Sequence, residues 1–542
     1  MNLNILQRYY FTIINLSITQ IFYRLKKYIV KRELKFYEIK NFKPTLEKSI
    51  NKIYNDHEYK KIFLPPYNFY LLNEQEKILS FLKIKNKKKL WRYNIYYFDF
   101  LNELNKKNFK HQKKFIKIWI REITTGEGLE PYPTSLRIVN WIKWSTFYKY
   151  KDEEFINNLY SQLHFLNRNI EYDILGNHII ANAKALIYGG IFFHNHDGSK
   201  FLTKGRKIFV EGLNKQILND GGHYERSPMY HSLILEDLLD IYSITYNGSN
   251  YLKKSDLKLL RYKIIKMLTW LKLMIHNDGQ VSFFNDSVFG IAKSYKYLLS
   301  YAKSLSIKPK FQKKKATILK ESGYFVYFNK NINFKFNIGS VAPKEQPGHS
   351  HANTLAIELS IGKDRFIVNS GISTYDIGQL RSMQRSTRAQ STLQINNSNS
   401  SDVWSSFRVG RRAKVFAINH SNIDKYTTVS ACHDGFFQKY NIIHKREIII
   451  FENKLVIRDY LNKKISNTKI RFYLFPGIKL LKEKNKFKTN DGYFINTNCN
   501  GGKILTKKSK WYPEFSMEEE NIFLEITMKE QICETIFDWY KK

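Results

Sequence analysis

The apolar residues of this chain change their repeat once, and that change restricts the fold more than any other feature. From about residue 65 to 305 they recur at helical spacing, at intervals of three and four. Beyond residue 321 they alternate, the period of a half-buried strand. A chain that is helical first and stranded afterwards does not build alternating βαβ units. It predicts a helical toroid or solenoid followed by a β-sandwich of two large sheets.

Local signals mark the elements. Leu136 to Trp144 reads as a helix with Ser135 as its N-cap. Asn177 to Gly189 reads as a second. Ser227 and Pro228 open a third, whose Tyr230, Ile234, Leu238 and Ile241 share one face. Ser304 to Glu321, basic and poor in large apolar residues, reads as a linker. After it, Tyr324, Val326 and Phe328 share one strand face, and Phe334, Phe336 and Ile338 share another. Ile448–Phe451 and Lys454–Ile457 flank Glu452-Asn453 as a hairpin. Ile470 to Phe475 and Asn521 to Met528 are further strands. The expected domains are a helical extension over 1–60, the helical domain over 61–312 and the sandwich over 321–542.

At the N-terminus, residues Tyr9 to Tyr23 carry no charge, and a basic stretch from Arg24 to Arg32 follows. The run is interrupted by polar residues and falls short of the ~20 apolar residues of a membrane span. It has neither the basic start nor the cleavage site of a signal peptide. It reads as an amphipathic helix with two open placements: on an anionic membrane surface through residues 1–32, or against its own domain. The expected compartment is cytoplasmic or membrane-peripheral. Lys+Arg exceed Asp+Glu by 89 − 48 = 41. Such a charge favours polyanionic partners, although a Lys-, Asn- and Ile-rich composition also produces it. The three cysteines form no CxxC pair, which speaks against thiolate metal sites and a disulfide framework. No nucleic-acid-binding module, Walker A loop, HExxH or GxSxG is present, so nucleic acid is not an expected partner.

Four clusters carry candidate chemistry. Asn177 and His178 stand at a helix start, as a polar pair or as a cap with a satisfied histidine. Asp220 to His231 packs His223, Tyr224, Glu225, Arg226, Tyr230 and His231 around two glycines. His349 and His351 are two apart, so on a strand both point to one face, as metal ligands or as a base and a ligand. Arg381 to Arg388, with Arg408, Arg411 and Arg412, offers planar forks suited to carboxylate or sulfate.

Together these segments resemble the heparinase II/III-like polysaccharide lyases, in the branch of surface-polysaccharide gene clusters. The resemblance runs through Trp91–Asp99, Glu130–Trp141, Gly176–Leu186, Asp220–His231 and His276–Gly279. It continues through Gly348–His351, Val368–Gly371 and Ser401–Trp404. It implies an α+β multidomain fold, an incomplete α/α toroid followed by an antiparallel β-sandwich, with the active site between them. It implies β-elimination next to a uronate in an acidic polysaccharide or oligosaccharide. Asn177 and His178 match the pair set against the uronate carboxylate, Tyr230 matches the acid–base tyrosine, and His349 the histidine that completes proton transfer. Tyr132, Arg137, His223, Glu225, Arg226, His231, Arg388, Arg408 and Arg411 are the expected substrate contacts.

The family's structural zinc is matched at one ligand only, His351. Asn369 and Gln390 stand where Asp and His are expected, and Asn353 ends the His-x-His-x-Asp motif. Asn and Gln are poor zinc ligands, so no bound metal or other cofactor is expected. A non-catalytic glycan-binding or scaffold relative of the same fold is the alternative reading.

Overall fold

The computed structural model describes residues 3–29, 32–44, 62–246, 251–311, 314–483 and 485–541. The expected boundary near residue 60 lies outside these residues, as do 312 and 313. In the helical half, helix ends follow local chemistry. Pro131 opens the helix Pro131–Tyr148, where its fixed φ suits the first turn and its missing N–H is not needed. The start therefore lies four residues before Ser135, which sits inside the helix and donates to the Pro131 carbonyl at 2.8 Å. Asp152 caps Glu153–Arg168 by accepting from the Phe155 N–H. Asn177–Phe192 is buried nearly all round, as befits a helix inside a ring of helices. Pro131–Tyr148, Ser199–Gln216 and Pro228–Tyr246 pack around it. The ring is an incomplete α/α toroid.

The helical half also carries one small antiparallel sheet, Phe63–Leu64, Asn68–Leu71 and Glu74–Lys77. Its second turn, Leu72-Asn73, has positive φ at both residues, the geometry that lets a two-residue turn follow strand twist. Strands this short escape a reading based on period.

The sandwich consists of an eight-stranded and a nine-stranded sheet. The first runs Val415–Ile423, Tyr426–Phe436, Ile442–Ile450, Lys454–Leu461, Ile532–Lys541 and Tyr493–Asn500, then to a short hairpin. The expected hairpin is present, with Ile450 paired to Leu455. Ile442–Ile450 alternates buried and half-buried residues, one face on the core and one toward solvent.

In the second sheet, Tyr324–Phe328 is buried on both faces. Tyr324 and Val326 join the core of the helical half, whereas Phe325 and Tyr327 join the core of the sandwich. This sheet is a wall shared by both halves. Ala316–Leu319 is its edge strand, so the expected linker is already sheet at its end. Polar contacts reinforce the wall. His276 Nε2 lies 2.8 Å from Glu358 Oε2, and both side chains are fully buried. Glu358 also accepts from the Phe283 N–H at 3.0 Å and the Asn369 amide at 3.1 Å.

The N-terminal segment is two helices rather than one, Leu3–Ile13 and Ile18–Ile29. Ser17 breaks the run by capping the second: its N–H donates to Gln20 Oε1 and its hydroxyl accepts from the Gln20 N–H. One side of this segment packs on the rest of the chain. The buried Gln20 donates to the Glu345 carbonyl at 3.0 Å, Arg24 reaches the Asp173 carbonyl, and Arg8 pairs with Asp402 at 3.1 Å. No described helix is long and apolar enough to cross a membrane.

Candidate active site

The four residues read as catalytic line one cleft of about 1620 Å³ between the two halves. Gly176 makes the first contact possible. Its φ is +64°, and a Cβ there would stand 2.1 Å from Glu225 Oε1. Without that atom, Glu225 comes close enough to accept from the Asn177 N–H at 3.1 Å. The Asn177 amide nitrogen lies 3.4 Å from the Tyr132 hydroxyl, and its Oδ1 is buried without a partner among the described residues. His178 lies over the Tyr132 ring, with centroids 4.3 Å apart. Burial acts to lower the His178 pKa, but the Glu171 carboxylate 3.1 Å from Nδ1 outweighs it, and the net direction is upward. The helix start thus presents to the cleft an amide and an imidazole whose protonated form Glu171 favours.

On the facing side, Tyr230 stacks on His349 with centroids 3.8 Å apart and planes 27° apart. Its hydroxyl lies 3.0 Å from that of Tyr375. Burial, then Tyr375 and Asp286, push the Tyr230 phenol well above its ordinary range, so it holds its proton at neutral pH. His349 Nδ1 lies 2.9 Å from Asp286 Oδ2. In the neutral ring an anionic Asp286 accepts from Nδ1–H, and the lone pair is then on Nε2. Nε2 is 3.9 Å from Glu225 Oε2, so Glu225 joins the Asn177 side of the cleft to the His349 side. Glu225 itself is pushed up by burial, partly offset by His349 and the Asn177 N–H.

Asp286 is the hub. Burial alone would raise its pKa, but Arg381 and two imidazoles hold it well below the carboxylate range. Arg381 grips both oxygens, with Nη2 2.7 Å from Oδ2. His351 Nε2 lies 2.8 Å from Oδ1. Burial lowers His351 to about 4, so it is neutral at pH 7. His349 and His351 are therefore not on a strand pointing to one face. They lie in a loop and take opposite oxygens of one carboxylate.

The structure sorts the expected substrate contacts. Tyr132 and Arg408 line the cleft. Glu225 is buried behind it. Arg137 is fully buried and donates to Gln162, the Gly128 carbonyl and Thr134, bracing the toroid core. His223 bonds Gln216, and His231 stacks on Trp270 and bonds the Met267 carbonyl. Arg226 ties the toroid to the carbonyls of Glu321 and Ser340. Arg411 reaches the carbonyls of Asn399 and Ser400, and Arg388 is exposed; neither lines the cleft. Crowding of polar residues in 220–231 is thus mostly a latch around a buried corner, from which Met229 and Tyr230 line the cleft and only Tyr230 brings a polar group to it.

The residues at the zinc positions do not fit the metal. Asn369 donates to Glu358 and accepts from the Ser391 N–H, so both ends of its amide are engaged. Gln390 donates to the Gln384 carbonyl, and His351 is committed to Asp286. Among the described residues, no group of three or more His, Cys, Asp or Glu is arranged to hold a metal.

Sequence reasoning missed Asp286, Tyr375 and Glu171. Asp286 follows the apolar pair Phe283-Phe284, and a lone acid next to buried aromatics is the signal available for it. Arg381 was read as a carboxylate grip; the carboxylate it grips belongs to the protein.

A helical toroid and a β-sandwich enclosing an Asn–His and Tyr–His cleft define a two-domain protein of the toroid-and-sandwich class. The heparinase II/III N-terminus model matches residues 33–314, and the heparinase II/III-like C-terminal model matches residues 312–540. The chain belongs to the heparinase II/III-like family. It is 24% identical over 271 residues to a heparin-sulfate lyase of Pedobacter heparinus, covering 45% of this chain and 40% of that protein. A heparin-sulfate lyase of Bacteroides stercoris is 24% identical over 252 residues, 42% of this chain and 37% of the relative. These matches span well under half of either relative's length. The crystal structure of heparinase III superposes with a TM-score of 0.72 at 15% identity, over 96% of this chain and 89% of that one. A chondroitin AC lyase of Streptomyces coelicolor shares the fold at TM-score 0.52 and 7% identity, over 79% of this chain and 70% of that one.

Proposed function

We propose that this chain is a polysaccharide lyase that cleaves a uronate-containing acidic polysaccharide by β-elimination, in bacterial surface-polysaccharide metabolism, without a bound metal. The convergence of Asn177, His178, Tyr230 and His349 on one cleft carries the reading. The names of the relatives support it, and the +41 charge suits a polyanion.

The reaction sets three demands. The uronate carboxylate must be neutralised so that charge can spread into it as the C5 proton leaves. The Asn177 amide and the His178 imidazolium meet this demand. A base must take that proton, and His349 Nε2, oriented by Asp286, has the free lone pair. An acid must protonate the departing oxygen, and the neutral Tyr230 phenol has the proton to give. The C5–H bond breaks, its electron pair forms the C4–C5 double bond, the C4–O bond breaks, and the leaving oxygen takes the phenolic proton.

The test is ultraviolet absorbance of that double bond, measured against a panel of uronate polymers. Cleavage of one member supports the reading. If the protein binds a member and cleaves none, the glycan-binding alternative replaces it.

Two further outcomes follow from the geometry. Elemental analysis of the purified protein should find far less than one zinc per chain; about one per chain would overturn the metal-free reading. The imidazolium of His178 is present below its folded pKa and lost as pH rises through it. That pKa is raised by Glu171, so Glu171→Gln should move the alkaline limb of kcat/KM to lower pH. An unmoved limb would remove His178 from carboxylate neutralisation.

A further inference from the structure

We propose that the two N-terminal helices, residues 3–29, dock the protein on an anionic lipid surface beside the cleft. In the second helix, Ile18, Phe22, Leu25 and Ile29 follow one another at spacings of four, three and four, one face of a helix. They are 87%, 59%, 60% and 83% exposed. On the opposite face Gln20, Arg24 and Lys27 make the polar contacts with the rest of the chain, while Thr19 and Lys26 stay exposed on its flank. The amphipathic pattern is therefore inverted relative to a helix that packs its apolar stripe on its own core. The first helix adds exposed Ile5, Leu6, Tyr10 and Ile13. An exposed apolar helix face of this kind marks an interaction site.

Charge and size select the occupant. Residues 1–32 hold six cations, Arg8, Arg24, Lys26, Lys27, Lys31 and Arg32, and no Asp or Glu. Arg8, Arg24 and Lys27 are engaged by Asp402 and Asp173, which leaves Lys26 exposed beside the apolar face of the second helix and Lys31 and Arg32 following it in sequence; a second copy would set these like charges against each other, whereas anionic headgroups neutralise them. The helices have 11 and 12 residues. At ~1.5 Å per residue each falls far short of a ~30 Å hydrocarbon core, so they lie in the interface and do not span it. Thr12, Arg24 and Tyr28 of the same two helices line the cleft, so docking holds the cleft next to the lipid surface.

The test is co-sedimentation of the full chain with vesicles of phosphatidylcholine alone and of phosphatidylcholine with phosphatidylglycerol. The protein should partition at least ~10-fold more strongly onto the anionic vesicles, and less so as salt rises. The triple variant Ile18→Ser/Phe22→Ser/Leu25→Ser should lose at least ~10-fold of that partition with an unchanged unfolding midpoint, because all three side chains are exposed. Equal partition of variant and parent overturns the proposal, as does the absence of partition. A dimer in sedimentation velocity that the triple variant converts to monomer also overturns it, in favour of a second copy on this face. The assay contains no polysaccharide, so its outcome is separate from that of the lyase test.

Discussion

Tyr230→Phe is expected to lower turnover of a uronate polymer that the parent protein cleaves by ~10²–10⁴-fold, the usual worth of a positioned general acid or base. The substitution keeps the ring that stacks on His349 and removes only the hydroxyl. Among the described residues that hydroxyl bonds the Tyr375 phenol, 3.0 Å away and itself beside the cleft, so little folding free energy is at stake. The effect should fall on kcat and kcat/KM alike, because the proton is delivered only as the C4–O bond breaks. Tyr375→Phe is the useful comparison. It leaves the proton on Tyr230 and removes only its neighbour, so its effect should be much smaller. Unchanged elimination in Tyr230→Phe would sink the assignment of the acid.

Asp286→Ala is expected to cost the fold ~3–5 kcal/mol, the penalty for leaving a buried partner charge uncompensated. Arg381 has no exposed side-chain surface and depends on this carboxylate for both arms of its guanidinium. His349 and His351 lose a shared acceptor in the same step. Urea unfolding reads the loss as a lower midpoint at unchanged slope. The double variant Asp286→Ala/Arg381→Met should recover part of it, since no charge then stays buried alone. A cost below ~1 kcal/mol for the single variant would show that the cluster is not the hub described. The acid side has a definite sign. A carboxylate held low stabilises above its unfolded pKa of ~3.9 and loses that contribution as pH falls through its lower folded value. His351, lowered to about 4, acts earlier: between its unfolded ~6.5 and that value the unfolded chain binds more protons, so stability already falls as pH drops through this window.

The two halves of the fold were legible because period is a property of many residues at once. The alternation of Tyr324, Val326 and Phe328 survives in the strand Tyr324–Phe328, and the helical spacing from Tyr230 to Ile241 survives in Pro228–Tyr246. The small sheet at 63–77 was not legible, because two to four residues carry no period. Within the site, Asn177, His178, Tyr230 and His349 stood in segments whose resemblance marked them. Asp286 did not, since its partners lie 63, 65 and 95 residues away and nothing local announces a hub. Residues such as Arg137 and His231 misled for the opposite reason. Their types suit a polyanion, but a large toroid also needs buried cations and imidazoles to satisfy its own carbonyls.

The shared wall has a consequence for how the molecule melts. Chains with two cores commonly unfold in two steps, because each core can be lost while the other persists. Here neighbouring residues of one strand serve different cores, Tyr324 and Val326 one and Phe325 and Tyr327 the other. Unravelling the toroid would wet one face of that strand and strand the His276–Glu358 pair without half its partners. Neither half then has a cheap intermediate in which it survives alone. Heating should produce a single calorimetric peak whose van't Hoff and calorimetric enthalpies agree, where the chain's length alone would suggest two.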